Sequence, residues 1–128
     1  LGLTPQGSAQ FGGFKVQGRG EAAAAELLVQ ARELEAAGCF ALVLEAVPAE
    51  LAATVTAALA IPTIGIGAGP RVDGQVLVLQ DLLGVTTAFR PKFVRTWLDG
   101  SGLIRDALQA YHRDVTSRAF PNGEESYR

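Results

Sequence analysis

Glu45 stands at the end of the apolar run Ala41-Leu42-Val43-Leu44, and that placement is the first sign of chemistry in the chain. Four consecutive apolar residues read as a strand of a parallel sheet covered on both faces, and parallel α/β folds gather their active sites at the C-terminal ends of such strands. A carboxyl group partly withdrawn from water there keeps its proton to higher pH than usual. It can then remove a proton from carbon beside a carbonyl, provided an electrophile stabilises the enolate. The plainer reading is a structural acid that caps the helix beginning near Pro48 or pairs with a base, and position alone leaves both open.

Two glycine-rich segments are the next candidates. Gly12-Gly13-Phe14-Lys15-Val16-Gln17-Gly18-Arg19-Gly20 sets Lys15 and Arg19 among glycines, a composition suited to gripping an anion, with solvated loop charges as the alternative. Ile64-Gly65-Ile66-Gly67-Ala68-Gly69 fails the GxGxxG dinucleotide spacing, because the third glycine would fall at position 70, which is Pro70. Gly65, Gly67 and Gly69 instead suggest bare backbone beneath a substrate, or simple turn-making. No metal-ligand set is visible: His112 has neither a cysteine nor a second histidine near it and reads as a surface residue. Cys39 reads as a buried thiol and Asp73 as a helix cap, while Asp81 remains unassigned.

The elements that must position these residues follow from periodicity. Ala24, Leu27, Leu28, Ala31, Leu34 and Ala37 recur at helical spacing, predicting a helix over 21–37 stopped by Gly38, with a strand at 41–44 after it. Pro48 opens a second helix with Leu51, Val55, Ala58 and Leu59 on its buried stripe; Pro62 ends it, and a strand follows at 63–66. A parallel neighbour needs a crossover of about a dozen residues, too many for Pro70 to Gln75, so 73–84 reads as a short helix capped by Asp73 and closed by Gly84. A strand at 85–88 and helices over 91–98 and 103–118, parted by Asp99-Gly100-Ser101-Gly102, complete the pattern. Alternating helices and strands imply an α/β parallel sheet with right-handed crossovers. Three strands leave open edges, so the chain is expected either to pair with a second copy or to be the later part of an eight-stranded barrel.

Composition sets the outer bounds. The chain has 128 residues, 48% apolar and 19% charged, which fits one domain over 1–128, with residues 1–20 as an active-site loop and 119–128 as a polar tail. A net charge of −2 with scattered Lys and Arg argues against a nucleic-acid partner. No apolar stretch approaches the roughly 20 residues needed to span a bilayer, so a cytoplasmic protein without a membrane partner is expected. The chain opens on Leu1 rather than Met, so Leu1 is not expected to be a native N-terminus.

Four segments together carry a resemblance: Leu1-Gly2-Leu3-Thr4-Pro5-Gln6; the stretch from Phe11 to Gly20; Leu42-Val43-Leu44-Glu45-Ala46-Val47-Pro48; and the stretch from Ile61 to Gly69. With Asp73-Gly74-Gln75, Phe120-Pro121 and Glu124-Glu125, they make the chain closely similar to the ketopantoate hydroxymethyltransferases across nearly its whole length. The resemblance implies the C-terminal part, about strands 6 to 8 plus terminal helices, of a (β/α)8 TIM barrel. It implies transfer of a one-carbon unit from 5,10-methylenetetrahydrofolate to a keto acid, 3-methyl-2-oxobutanoate, in pantothenate biosynthesis. That family's proposed general base falls on Glu45, and its Mg2+ holds the keto acid and favours the enolate. Lys15, Arg19, Gly65, Gly67 and Gly69 lie in the loops where substrate or folate contacts are expected. The family's metal-binding acids lie upstream of Leu1, so none is expected here and the chain alone is expected to be inactive. Its enzymes are homo-oligomers, commonly decamers. The competing expectations are a non-catalytic, self-associating half-barrel and another phosphoenolpyruvate/pyruvate barrel enzyme, such as an isocitrate lyase relative.

Overall fold

The alanine-rich stretch after Gly20 folds as helix α1 (Glu21–Ala36) in the computed structural model, which describes residues 1–4 and 15–127. Gly38 follows at φ 95°, the left-handed stop that glycine adopts without steric cost. The chain then enters strand β1 (Leu42–Glu45), helix α2 (Ala49–Ala58), with Pro48 at its N-cap, and strand β2 (Thr63–Ile66). These agree with the periodicity to within a residue or two. Two compact units result, Leu1–Leu77 and Val78–Arg128.

In the first unit the sheet runs β1-β2-β3, all parallel, where β3 is Gly74–Gln75. Leu42 pairs with Thr63 and Glu45 with Ile66. On the other edge of β1, Gly2 forms a parallel bridge with Glu45. Burial alternates along β1: Leu42 and Leu44 are buried in one cluster with Leu27 and Ala31 of α1 and Ala52 and Val55 of α2, whereas Val43 is 49% exposed. Cover on both faces, expected from the apolar run, is therefore not found among the described residues. Both helices pack on the face of Leu42 and Leu44, leaving the face of Val43, Glu45, Ile64 and Ile66 open or half-open.

The expected helix over 73–84 is also corrected. Gly67 at φ 67° and Gly69 at φ 78° fold the chain back so tightly that Gly74 pairs with Ile64, without a crossover helix. A contact of two residues tolerates this, whereas a full-length strand would not. Asp73 does not cap a helix: its Oδ2 accepts the Thr63 backbone N–H at 2.8 Å and the Thr63 hydroxyl at 3.0 Å. Thr63 is wholly buried, so this carboxylate staples the start of β3 to the start of β2. Only Leu79–Leu82 is helical in this stretch (α3), with Gly84 left-handed at φ 66° after it.

Further differences lie in the second unit. Residues 85–88 form no strand, because no neighbour pairs with them; Val85 N–H donates instead to Gln80 O at 2.8 Å. Residues 91–98 form no helix beyond a turn closed by Val94 N–H on Pro91 O at 3.0 Å. Trp97 N–H is committed to Leu82 O at 2.9 Å, and the branched Val94 and Thr96 favour helix weakly. Asp99 to Gly102, expected as a break between helices, starts helix α4 (Gly100–Thr116): Asp99 Oδ1 accepts Gly102 N–H at 3.1 Å as an N-cap. No helix among the described residues is long and apolar enough to cross a membrane.

Asp73→Ala leaves the buried Thr63 N–H without its acceptor and is expected to cost about 1–3 kcal/mol of stability, measured by urea unfolding. Asp73→Asn retains an acceptor oxygen and should lose less.

Candidate active site

Glu45 is held by backbone bonds on both edges of β1. Its N–H donates to Leu1 O at 2.9 Å and its carbonyl accepts Leu3 N–H at 2.8 Å, while the next residue, Ala46, donates its N–H to Ile66 O at 2.9 Å. A side chain at Gly2 would collide with Glu45 O and Val47, so only glycine allows the first residues to lie this close to β1. Ala46 itself adopts φ 49°, a left-handed conformation uncommon outside glycine. Its carbonyl accepts Gln17 N–H at 2.9 Å, which brings the end of the early loop back to the C-terminal end of β1. Gly18, left-handed at φ 74°, sits so close to Leu51 of α2 that a side chain there would clash.

The Glu45 carboxyl projects on the half-open face with Val43, Ile64 and Ile66. Withdrawal from water pushes its pKa above the ordinary carboxylate value. Neither plainer role is realised among the described residues. Helix α2 has no side-chain cap, and the acids in ion pairs are Glu50, with Arg71, and Asp106, with Arg105. The result is a partly dehydrated carboxylate at a strand end with no Lys or Arg side chain paired to it among the described residues, a group chemically able to accept a proton.

The other sequence candidates divide. Lys15 and Arg19 are exposed and flank the docked Gln17 and Gly18. Gly65 pairs with Leu44, on the opposite face from Glu45, and a Cβ there would come within 2.8 Å of Val72. Gly69 packs directly on Ala49 at the start of α2, and Gly67 supplies the left-handed turn after β2. Packing and turning thus account for Gly65, Gly67 and Gly69. Gly12, Gly13 and Phe14 lie outside the described residues. Cys39 is half-buried rather than buried, His112 is exposed on α4, and Asp81 is half-buried in α3. Gln17 and Ala46 escaped sequence reasoning; an alanine carries no mark of a left-handed backbone.

Among the described residues, no three His, Cys, Asp or Glu side chains gather as a metal-binding group. The second unit has a mostly apolar groove of about 560 Å³ along α4, past Ile104, Leu108 and His112, and a polar one of about 630 Å³ lined by Thr86, Arg90, Thr96 and Ser101.

A family model described as ketopantoate hydroxymethyltransferase matches residues 1–123. Curated relatives carry the name 3-methyl-2-oxobutanoate hydroxymethyltransferase. One from Bdellovibrio bacteriovorus is 58% identical over 99% of this chain and 48% of its own length. One from a Methylobacterium species is 61% identical over 99% of this chain and 44% of its own. One from Francisella tularensis subsp. tularensis is 54% identical over 99% and 48%. The chain spans about half the length of the curated relatives it matches.

The raised carboxyl sets the sign of a pH effect. The folded state binds the Glu45 proton more tightly than the unfolded chain, so this group's contribution to stability falls as pH rises from the ordinary carboxylate value through the raised one. Glu45→Gln is therefore expected to be at least as stable as the parent at neutral pH, with any advantage vanishing in acid. Urea midpoints across that range test it. A variant less stable at neutral pH would place Glu45 in a stabilising contact instead.

Proposed function

The chain belongs to the ketopantoate hydroxymethyltransferase family, and we propose that it supplies the general base, Glu45, of an enzyme making ketopantoate from 3-methyl-2-oxobutanoate and 5,10-methylenetetrahydrofolate. The observation that carries this is the partly dehydrated Glu45 carboxyl at the C-terminal end of a parallel strand, with no side-chain cap or ion-pair partner among the described residues. In the proposed step, the C–H bond beside the keto group breaks and the proton passes to Glu45; the enolate carbon bonds to the methylene carbon as that carbon's bonds to the two folate nitrogens break, water supplies the new hydroxyl, and the freed nitrogens take up the protons, leaving tetrahydrofolate. Lys15 and Arg19, exposed beside the docked Gln17, are proposed to attract the anionic groups of keto acid or folate.

The site is incomplete in this chain. An enolate needs a group that absorbs its charge, and the described residues offer no metal-ligand set to hold such an ion. The half-open face around Glu45 supports a reading in which the sheet is the later part of a (β/α)8 barrel, completed by residues like those in the uncovered half of the relatives. Self-association, up to the decamers implied by the resemblance, is the second reading. The exposed Phe89, Trp97 and Leu108 of the second unit favour it.

The test is an assay of ketopantoate formation with magnesium and both substrates. The 128-residue chain alone is expected to show no turnover. Joined to the uncovered portion of the Bdellovibrio relative it is expected to turn over, and Glu45→Gln should lower that rate by about 10²–10⁴-fold. Turnover by the chain alone would mean that base and electrophile both reside within it.

A further inference from the structure

An extended strand continuing past Glu45 would place Ala46 on the helix-covered face and Val47 on the face of the Glu45 carboxyl, because side chains alternate along a strand. The chain does otherwise. Ala46 is 6% exposed and Val47 2%, and Val47 joins the core cluster with Leu42 and Leu44. The break in alternation falls at Ala46, whose φ of 49° turns the backbone left-handed. For a residue with a Cβ that conformation costs about 1–2 kcal/mol relative to the right-handed one, so the surroundings must hold it. Two backbone bonds do so: Ala46 N–H on Ile66 O and Gln17 N–H on Ala46 O, each 2.9 Å.

We infer that Ala46 is a positioning residue: its clamped left-handed backbone ends the strand's alternation after Glu45 and swings Val47 into the core, away from the space that a substrate beside Glu45 must occupy. The inference rests on Glu45 being the base, but it concerns geometry that can be read without turnover. Glycine at this position would keep the left-handed conformation at no steric cost while opening many others. Ala46→Gly thus separates stability from positioning. A purely structural role predicts that fold and Glu45 order rise or fall together.

NMR on the 128-residue chain makes the test. In the parent, the Hα–Hβ couplings of Glu45 should report a single χ1 rotamer. In Ala46→Gly they should average while the melting temperature stays the same or rises. Ala46→Val places a β-branched residue where it is a genuine outlier, and should free the Gln17 amide, raising its hydrogen exchange about tenfold or more. If Ala46→Val does not fold, Ala46→Gly decides alone. An averaged Glu45 in the parent, or a Glu45 that keeps one rotamer in Ala46→Gly, overturns the inference. Neither result would bear on whether Glu45 acts as a base, which the Glu45→Gln assay reads separately.

Discussion

Strand β1 is bonded along both edges, to Leu1–Leu3 on one side and to β2 on the other, and the site depends on that double pairing. The pairing spends the Glu45 N–H and carbonyl on the first residues and the Ala46 N–H on β2, so the backbone beneath the carboxyl has no bond left to rearrange. A carboxyl partly withdrawn from water is costly to hold in place, and a rigid ladder is what can hold it. The early loop is drawn into the same arrangement through Gln17 and Ala46, and the close approaches at Gly2 and Gly18 make the fit possible.

The sheet's asymmetry gives the site its direction. Helices α1 and α2 seal the face of Leu42, Leu44, Thr63 and Gly65, and the Asp73–Thr63 staple holds the short third strand against it. The opposite face, with Val43, Ile64, Ile66 and Glu45, is left half-open. Parallel strands are ordinarily covered on both faces. Among the described residues this face lacks that cover, and the chain spans about half the length of the curated relatives it matches.

Much of the first unit was legible in the sequence because its elements are long or sharply bounded. Leu27, Ala31 and Leu34 recur at helical spacing, Gly38 stops α1, and Pro62 and Gly67 bracket β2. The place of Glu45 at the end of β1 was legible for the same reason, as a polar residue ending an apolar run. The misreadings arose where a short interaction decided the outcome. Two paired residues made β3 where the crossover rule forbade a full strand, and Asp73 looked like a helix cap because its true partner, Thr63, is brought near only by folding. Asp99 and its glycines read equally as a break and as a helix start. Residues 85–98 carry strand- and helix-like composition, but their backbone groups bond to the end of α3 instead. Ala46 was invisible because its conformation comes from tertiary hydrogen bonds, not from its type.

The most direct test of the central claim, that Glu45 is the proton acceptor, is hydrogen–deuterium exchange at the carbon beside the keto group of 3-methyl-2-oxobutanoate, followed by proton NMR in D2O without folate. It should be run on the protein extended to its relatives' length, comparing Glu45 with Glu45→Gln. The account predicts that exchange slows by about 10²-fold or more in the variant while keto acid binding is retained. An unchanged exchange rate with binding intact would contradict it.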